Sequence, residues 1–182
     1  NITNAALTTL VGEFYTGPQP SVVFVSVAYA YVANNALGLY IINISNAAVP
    51  TLTGTFDEVA GSRDVFVSGA YAFVADNTAG LKIFNISNPA VPTLRSTIAA
   101  GDYNHDVVVS GNYAYMVEHW AGLRVINISN LAAPSSMGSV EAAPGYAWGV
   151  VVSGTYAYIA DYERLQIINI SNAAVPTRTG TF

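Results

Sequence analysis

The chain has 182 residues, of which 52% are hydrophobic and only 9% are charged, and its formal net charge is −5. Six basic residues without a basic stretch argue against a nucleic-acid partner, and no apolar run approaches the roughly 18 residues of a membrane span. Because the chain has no cysteine, disulfides and thiolate metal sites are excluded as well.

A tandem repeat of 42 residues runs through the chain and forms a single repeat domain. Val-Ser-Gly-x-Tyr-Ala recurs in every unit, with Val27 in place of the glycine in the first copy. A tripeptide Asn-Ile-Ser or Asn-Ile-Thr recurs in phase with it at Asn1, Asn43, Asn85, Asn127 and Asn169. We expect four units over 17–56, 57–98, 99–140 and 141–182, with residues 1–16 left over.

Each unit predicts four β-strands, as the second copy illustrates. The β-branched run 64–68 is followed by a short turn, and 71–75 alternates large and small side chains as a pleated strand does. A third strand over 81–86 is apolar on both faces, so we expect it to be buried. A turn with prolines precedes a more polar strand over 93–98, which suits an outer edge. Four strands in about 40 residues predict all-β propeller blades, with a β-solenoid as the structural rival.

The third strands also carry a family resemblance. They read Leu-Lys-Ile-Phe-Asn at 81–85 and Leu-Arg-Val-Ile-Asn at 123–127, each followed by Ile-Ser-Asn and a proline turn. This pattern resembles the LVIVD repeat, found in predicted β-propellers of bacterial and archaeal surface proteins. The resemblance covers essentially the whole chain. It implies a propeller fold and an extracellular or cell-surface location, and it implies no reaction. In all five copies the final aspartate of the motif is replaced by asparagine.

Residues 1–16 match the end of a unit and therefore predict a surplus outer strand at the N-terminus. The last unit already has its own outer strand over 177–182, so one outer strand is redundant. It either hangs free or pairs with another molecule, and four small blades can stay open and join neighbours into a filament. The alternative is a boundary inside a longer array. Since the sequence opens within a repeat, we read it as a mature or trimmed segment.

The loops at one end of the blades differ from copy to copy, whereas the turns at the other end barely change. In or beside the variable loops lie ten of the eleven acidic residues, all but Glu13, together with both histidines and both tryptophans. Exposed aromatic side chains among carboxylates suit sugar stacking or a basic partner. The alternative is local packing beside a solvated acidic rim. The candidate ligand residues on this acidic and aromatic loop face are Tyr103, His105, His119, Trp120, Trp148 and Tyr162.

No grouping of side chains has the spacing of a catalytic or metal site. Histidine and carboxylate come together only around His105, flanked by Asp102 and Asp106, and at Glu118-His119. A metal or acid–base site needs such groups to converge in space, and no serine lies in a nucleophile elbow. We therefore expect no enzyme activity, no catalytic residue, no metal and no cofactor.

Each recurring asparagine heads an N-glycosylation acceptor pattern with isoleucine in the middle. The structural alternative is a short polar side chain that ends the third strand and bonds the following turn. The glycosylation candidates are Asn1, Asn43, Asn85, Asn127 and Asn169.

These features predict a non-enzymatic extracellular scaffold that self-assembles with copies of itself into a filament or surface array through strand exchange, with glycosylated asparagines. The alternative function is a recognition propeller that binds carbohydrate or protein through the variable loops. Expected partners are further copies of the chain and glycans, with neither nucleic acid nor a membrane span.

Overall fold

The computed structural model describes residues 9–57, 61–141 and 145–181, and in these residues sixteen strands form four antiparallel sheets. Each sheet is one blade, with its strands hydrogen-bonded in chain order. Blade 1 contains β1 (Pro20–Ser26), β2 (Tyr29–Asn34), β3 (Gly38–Asn43) and β4 (Thr51–Phe56). Blade 2 contains β5 (Ser62–Ser68), β6 (Tyr71–Asp76), β7 (Gly80–Asn85) and β8 (Thr93–Ile98). Blade 3 contains β9 (Asn104–Ser110), β10 (Tyr113–Glu118), β11 (Gly122–Asn127) and β12 (Ser135–Val140). Blade 4 contains β13 (Ala147–Ser153), β14 (Tyr156–Asp161), β15 (Leu165–Asn169) and β16 (Thr177–Thr181).

The expected all-β propeller blades are confirmed, and the solenoid rival is wrong. Each blade is an antiparallel meander, whereas the coils of a β-solenoid stack as parallel strands. The two inner strands of blade 2 meet in the register Ser68↔Tyr71, which leaves a two-residue turn. Within the described ranges no helix is long and apolar enough to cross a membrane.

The hydrophobic core lies between blades. The strands β1, β5, β9 and β13 pack side by side in succession, and the middle strands β2 and β3 of one blade face the next. Between blades 1 and 2, Leu39 and Ile41 meet Val65 and Phe84, all fully buried. The same positions fill the other two blade contacts, because the repeat places apolar residues on both faces of the central strands.

The four blades form an open arc in the described residues. No packing comparable to that of β1 on β5 joins β13 to β1. Val23 on β1 is therefore 57% exposed, although its repeat equivalents Val65 and Val107 are each 1% exposed. At the other end of the arc, Leu165 is 42% exposed, whereas its equivalent Leu123 is fully buried. Two apolar blade faces thus lack a neighbouring blade.

Residues 9–19 form no strand, yet 9–16 lie where the outer strand of a preceding blade would lie. A Cβ placed on Gly12 would come within 2.1 Å of the Ala47 carbonyl oxygen in the turn of blade 1. A Cβ on Gly54, one repeat later, would come within 2.2 Å of the Pro89 carbonyl oxygen in blade 2. Phe14 packs on the cluster around Ile42, just as Phe56 packs on Phe84 one repeat later. The predicted surplus segment thus occupies an outer-strand position without a β-ladder.

Candidate functional site

Three repeat positions build the variable end of the arc. The first lies near the start of each inner strand and holds Arg63, His105 and Trp148 in blades 2, 3 and 4. The second directly follows each second strand and holds Asn77, His119 and Tyr162. The third precedes each inner strand and holds Gly61, Tyr103 and Tyr146. Because the units are in phase, these side chains emerge at the same end of neighbouring blades.

Backbone hydrogen bonds hold these positions together across blades. The Asn104 N–H donates to the Asn77 carbonyl at 2.7 Å, and the Ala147 N–H donates to the His119 carbonyl at 3.0 Å. Within blade 3, the His119 N–H donates to the Tyr103 carbonyl at 2.8 Å. The side chains at this end are therefore carried on hydrogen-bonded backbone rather than on free loops.

All six candidate ligand residues join one aromatic cluster, together with Tyr146. His105 lies 4.4 Å from Trp148 and 5.2 Å from His119 between ring centroids. Tyr146 stacks on His119 at 4.3 Å and meets Trp120 edge-on at 4.2 Å. Tyr103 meets His119 at 6.4 Å, and Tyr162 meets Tyr146 at 6.1 Å. The structure thus brings together residues spread over sixty positions of sequence.

Beside this cluster lies an open cleft of about 260 Å³, lined by residues of three blades. Its lining consists of Arg63, Asn77, Tyr103, His105, His119 and Trp148. Arg63 Nε, Asn77 Oδ1 and His119 Nδ1 are buried polar atoms, and none of them has a hydrogen-bond partner among the described residues. Buried polar atoms of native proteins are normally paired, so these three atoms give the cleft hydrogen-bonding capacity for a ligand.

The predicted acidic rim is wrong for several of the carboxylates, because they are buried and paired. Asp76 Oδ2 lies 2.8 Å from Lys82 Nζ, and Glu118 Oε1 lies 3.2 Å from Arg124 Nη1. Asp161 accepts hydrogen bonds from two backbone N–H groups of its own turn. These carboxylates therefore stabilise the loops from inside and leave the cleft with an excess of cationic and neutral groups.

Asp64 and Asp106 tie consecutive inner strands together. Asp64 Oδ2 accepts a hydrogen bond from the Val107 N–H at 2.9 Å, and Asp106 Oδ2 accepts one from the Val150 N–H at 2.7 Å. Burial, together with the hydrogen bond and the charge of Asp106, raises the pKa of Asp64 to about 8. Asp64 is accordingly protonated at neutral pH and shares its proton with Asp106.

The histidine–carboxylate groupings do not form catalytic pairs. Asp102 Oδ2 accepts from the Trp120 N–H at 2.5 Å, and Glu118 is occupied by Arg124 and the Gly101 N–H. Burial, the neighbouring His119 and Arg63 lower the pKa of His105. Among the described residues, no cluster of three histidine or carboxylate groups has the geometry to hold a metal ion.

The described asparagine candidates end the third strands and bond the following turn. Each Oδ1 atom accepts a hydrogen bond at 2.9 Å from the N–H of the serine two residues on. The amide nitrogen, to which a glycan would be attached, is not used in that bond. These four half-buried residues are Asn43, Asn85, Asn127 and Asn169, and Asn1 lies outside the described part of the chain.

Sequence reasoning missed Arg63, Asn77 and Tyr146 as candidates. The first two occupy the same repeat positions as His105 and His119, and Tyr146 occupies the position of Tyr103. A column-by-column comparison of the four copies would have found them, since these columns vary between otherwise uniform units.

Comparison with known proteins places the repeat in a described family. The family model named LVIVD repeat matches residues 21–58, 61–99, 101–142 and 144–182. No curated protein matches the sequence.

Solved structures share the fold at low identity. A protein from Lactobacillus plantarum is 18% identical with a TM-score of 0.78, covering 90% of this chain and 57% of its own. A functionally unknown protein from Desulfotomaculum acetoxidans is 13% identical with a TM-score of 0.67, covering 88% of this chain and 55% of its own. The chain thus spans little more than half of those two proteins. The computationally designed protein Ika4 is 6% identical with a TM-score of 0.73, covering 90% of this chain and 99% of its own.

Proposed function

The chain belongs to the LVIVD-repeat family, and from that premise we propose that it is a non-enzymatic structural protein of the cell surface or extracellular space. Its blades associate with those of a second copy and build a larger assembly. The observation that carries this proposal is the pair of unpartnered apolar blade faces at the two ends of the arc.

The two end faces are complementary because the repeat makes them so. Blade 4 presents Val151, Tyr156 and Leu165, which occupy the positions that face the next blade elsewhere in the arc. Blade 1 presents Val23 and Val25, which occupy the positions that receive the preceding blade. A second copy can therefore dock through a contact that already occurs three times within one chain. Since each end meets the opposite end, the contact is heterologous and yields a closed ring or a filament.

Burial of the two end faces supplies the driving force for association of the copies. Removing half-exposed valine, leucine and tyrosine side chains from water stabilises by about 1 kcal/mol each. Several such side chains on each face, added to backbone pairing, offset part of the cost of association.

The N-terminal segment gives the docking a strand-exchange character. Residues 9–16 already occupy the outer-strand position beside blade 1, as the packing of Gly12 and Phe14 shows. An incoming blade 4 brings its own outer strand, β16, to the same place. One of the two must be displaced, and a displaced strand is free to pair with another sheet edge.

The test combines electron microscopy with native mass measurement of the purified chain. We expect rings or filaments, and compact monomers at every concentration would contradict the proposal. Leu165→Asp should abolish assembly because it places a charge in the docking face. Val91→Asp is the matched control, since Val91 is an exposed apolar residue in the turn region after β7, away from both end faces. If Leu165→Asp assembled to the same extent as Val91→Asp, that result would also contradict the assembly proposal.

N-glycosylation of the third-strand asparagines completes this proposal. The support is the tripeptide that recurs in each unit and an amide nitrogen that the turn bond leaves unused. Intact mass after expression in a glycosylating host should exceed the 19.1 kDa polypeptide mass and return to it after enzymatic deglycosylation. A bare polypeptide mass from that host would contradict glycosylation without affecting assembly.

Recognition of carbohydrate or protein through the variable end is the second candidate function. The aromatic cluster and the unpartnered polar atoms of the cleft favour it. A glycan array and a pull-down test it, with Trp148→Ala as the variant expected to lose binding. Blank results in both assays would contradict this candidate and leave the assembly proposal standing.

A further inference from the structure

The cleft at the variable end has unmet hydrogen-bonding capacity of both kinds. Arg63 Nε is a donor, Asn77 Oδ1 is an acceptor, and His119 Nδ1 serves as either, according to its tautomer. All three atoms are buried and lack a partner among the described residues. A ligand that satisfied them would need an acceptor group for Arg63 and a hydroxyl donor for Asn77.

The charge of the cleft favours an anionic ligand. The lining includes one arginine and two histidines but no carboxylate. The nearest acidic side chains are already engaged, Asp102 with the Trp120 N–H and Asp106 with the Val150 N–H. A bound carboxylate would therefore meet the Arg63 guanidinium, which has no counter-charge of its own in the cleft, and two imidazole groups able to donate hydrogen bonds.

The aromatic side of the cleft favours a ring-shaped ligand with apolar C–H faces. Trp148 lies against His105 at 4.4 Å, yet 49% of its surface remains exposed. Tyr103, also in the lining, is 48% exposed. The cleft volume of about 260 Å³ lies below the roughly 300–1,000 Å³ of sites for drug-sized ligands, so it suits a single small ring.

We propose that this cleft binds an acidic sugar unit of the hexuronate type. Its carboxylate pairs with Arg63 and the two histidines, a hydroxyl donates to Asn77 Oδ1, and its ring lies on Trp148. The inference rests on the second candidate function and names its ligand class. It is independent of assembly, because the cleft is built entirely from blades 2, 3 and 4 of one chain.

Binding should be stronger in mildly acidic solution. His105 faces His119 and Arg63 on the cationic side and Asp102 and Asp106 on the acidic side, and its pKa is lowered by burial first and by the two cations next. A carboxylate in the cleft favours the protonated form of His105, so sugar binding takes up a proton there. We expect affinity for the sugar acid to rise roughly threefold or more between about pH 8 and pH 6.

Isothermal titration with glucuronate, glucose and acetate on the full chain tests the proposal. Glucuronate should bind, while glucose lacks the charge and acetate lacks the ring, so each should bind at least about tenfold more weakly. Arg63→Gln should weaken glucuronate binding by a similar factor, and Trp148→Ala should weaken it through loss of the ring face. Arg95→Gln is the matched control, because Arg95 is an exposed arginine on the outer strand β8.

Thermal melts of the variants verify that they fold, and Trp148→Ala tests the site even if Arg63→Gln does not fold. Equal binding of acetate and glucuronate, equal binding of glucose, or no glucuronate binding up to about 10 mM would each overturn the inference. Loss of binding in Arg95→Gln equal to that in Arg63→Gln would overturn it as well. If the protein bound neutral glycans rather than acidic ones on a glycan array, this inference would be wrong, while recognition through the variable end would still stand.

Discussion

Replacement of Asp64 by asparagine should make the fold more stable at alkaline pH. Asp64 is buried, accepts a hydrogen bond from the Val107 N–H and shares a proton with Asp106. Asparagine has the same shape, keeps a carbonyl oxygen for Val107 and offers an N–H to the Asp106 carboxylate. Asp64→Asn therefore imitates the protonated native residue permanently.

The magnitude follows from the pKa of Asp64 in the two states. Burial first, and Asp106 next, raise it from 3.8 to about 8 in the folded protein. The native state thus binds a proton that the unfolded state releases between these values, so stability falls as pH rises through this window. A shift of one pKa unit amounts to about 1.4 kcal/mol, so the shift of Asp64 sets a ceiling near 6 kcal/mol. Since Asp106 retains contact with solvent, we expect a loss of roughly 2–4 kcal/mol between pH 5 and pH 8.

Urea unfolding at pH 5, 6, 7 and 8 measures this effect in the wild type and in Asp64→Asn. The two proteins should have similar unfolding free energies at pH 5, with the variant more stable by roughly 2–4 kcal/mol at pH 8. Asp57→Asn is the control, because Asp57 is an exposed aspartate after β4. A difference between wild type and Asp64→Asn that stayed constant across pH would refute the shared-proton reasoning.

Three further changes probe packing, turn geometry and modification. Leu123→Ala should lower the unfolding free energy by about 2–5 kcal/mol, because Leu123 is fully buried. Leu165→Ala changes the exposed repeat equivalent and should lower the unfolding free energy of the monomer by less than about 1.5 kcal/mol, with both values measured by chemical denaturation. Val27 has a φ of 53° and is 98% exposed, so Val27→Gly should raise the melting temperature, with a gain of about 1 kcal/mol; an unchanged melt would argue against strain. Asn85→Asp should keep the turn bond and the melting temperature, while the intact mass falls by one glycan. A lower melting temperature with an unchanged intact mass would assign that asparagine a purely structural role.

The repeat made most of the blade predictable. Strand 71–75 was expected from alternation, and β6 covers Tyr71–Asp76; the polar run 93–98 was expected as an outer strand and is β8, Thr93–Ile98. These elements depend on side-chain alternation and turn residues, both of which can be identified from the sequence. The ligand candidates were predictable as a loop set, since copy-to-copy variation marked the loops that carry them.

The roles of individual charged and polar residues were less predictable. Asp76 and Glu118 looked like rim carboxylates but are buried against Lys82 and Arg124. Arg63 and Asn77 occupy variable columns of the repeat, but only the structure showed that they share a cleft and that their buried polar atoms lack partners among the described residues. Both ion pairs join the second and third strands of a single blade, whereas the cleft forms where blades 2, 3 and 4 meet, and local pattern contains no information about that meeting.

The sequence by itself determined the repeat length, the four-stranded blade and the variable end, because in-phase periodicity and side-chain alternation dictate how each unit pairs with itself. Only the tertiary structure decided that the described residues form an open arc, with Val23 and Leu165 exposed at its two ends, and that Asp64 shares a proton with Asp106. These features arise from the angle and contact between successive blades. Residues about forty positions apart meet there, and the same repeat unit is buried or exposed according to whether another blade follows it.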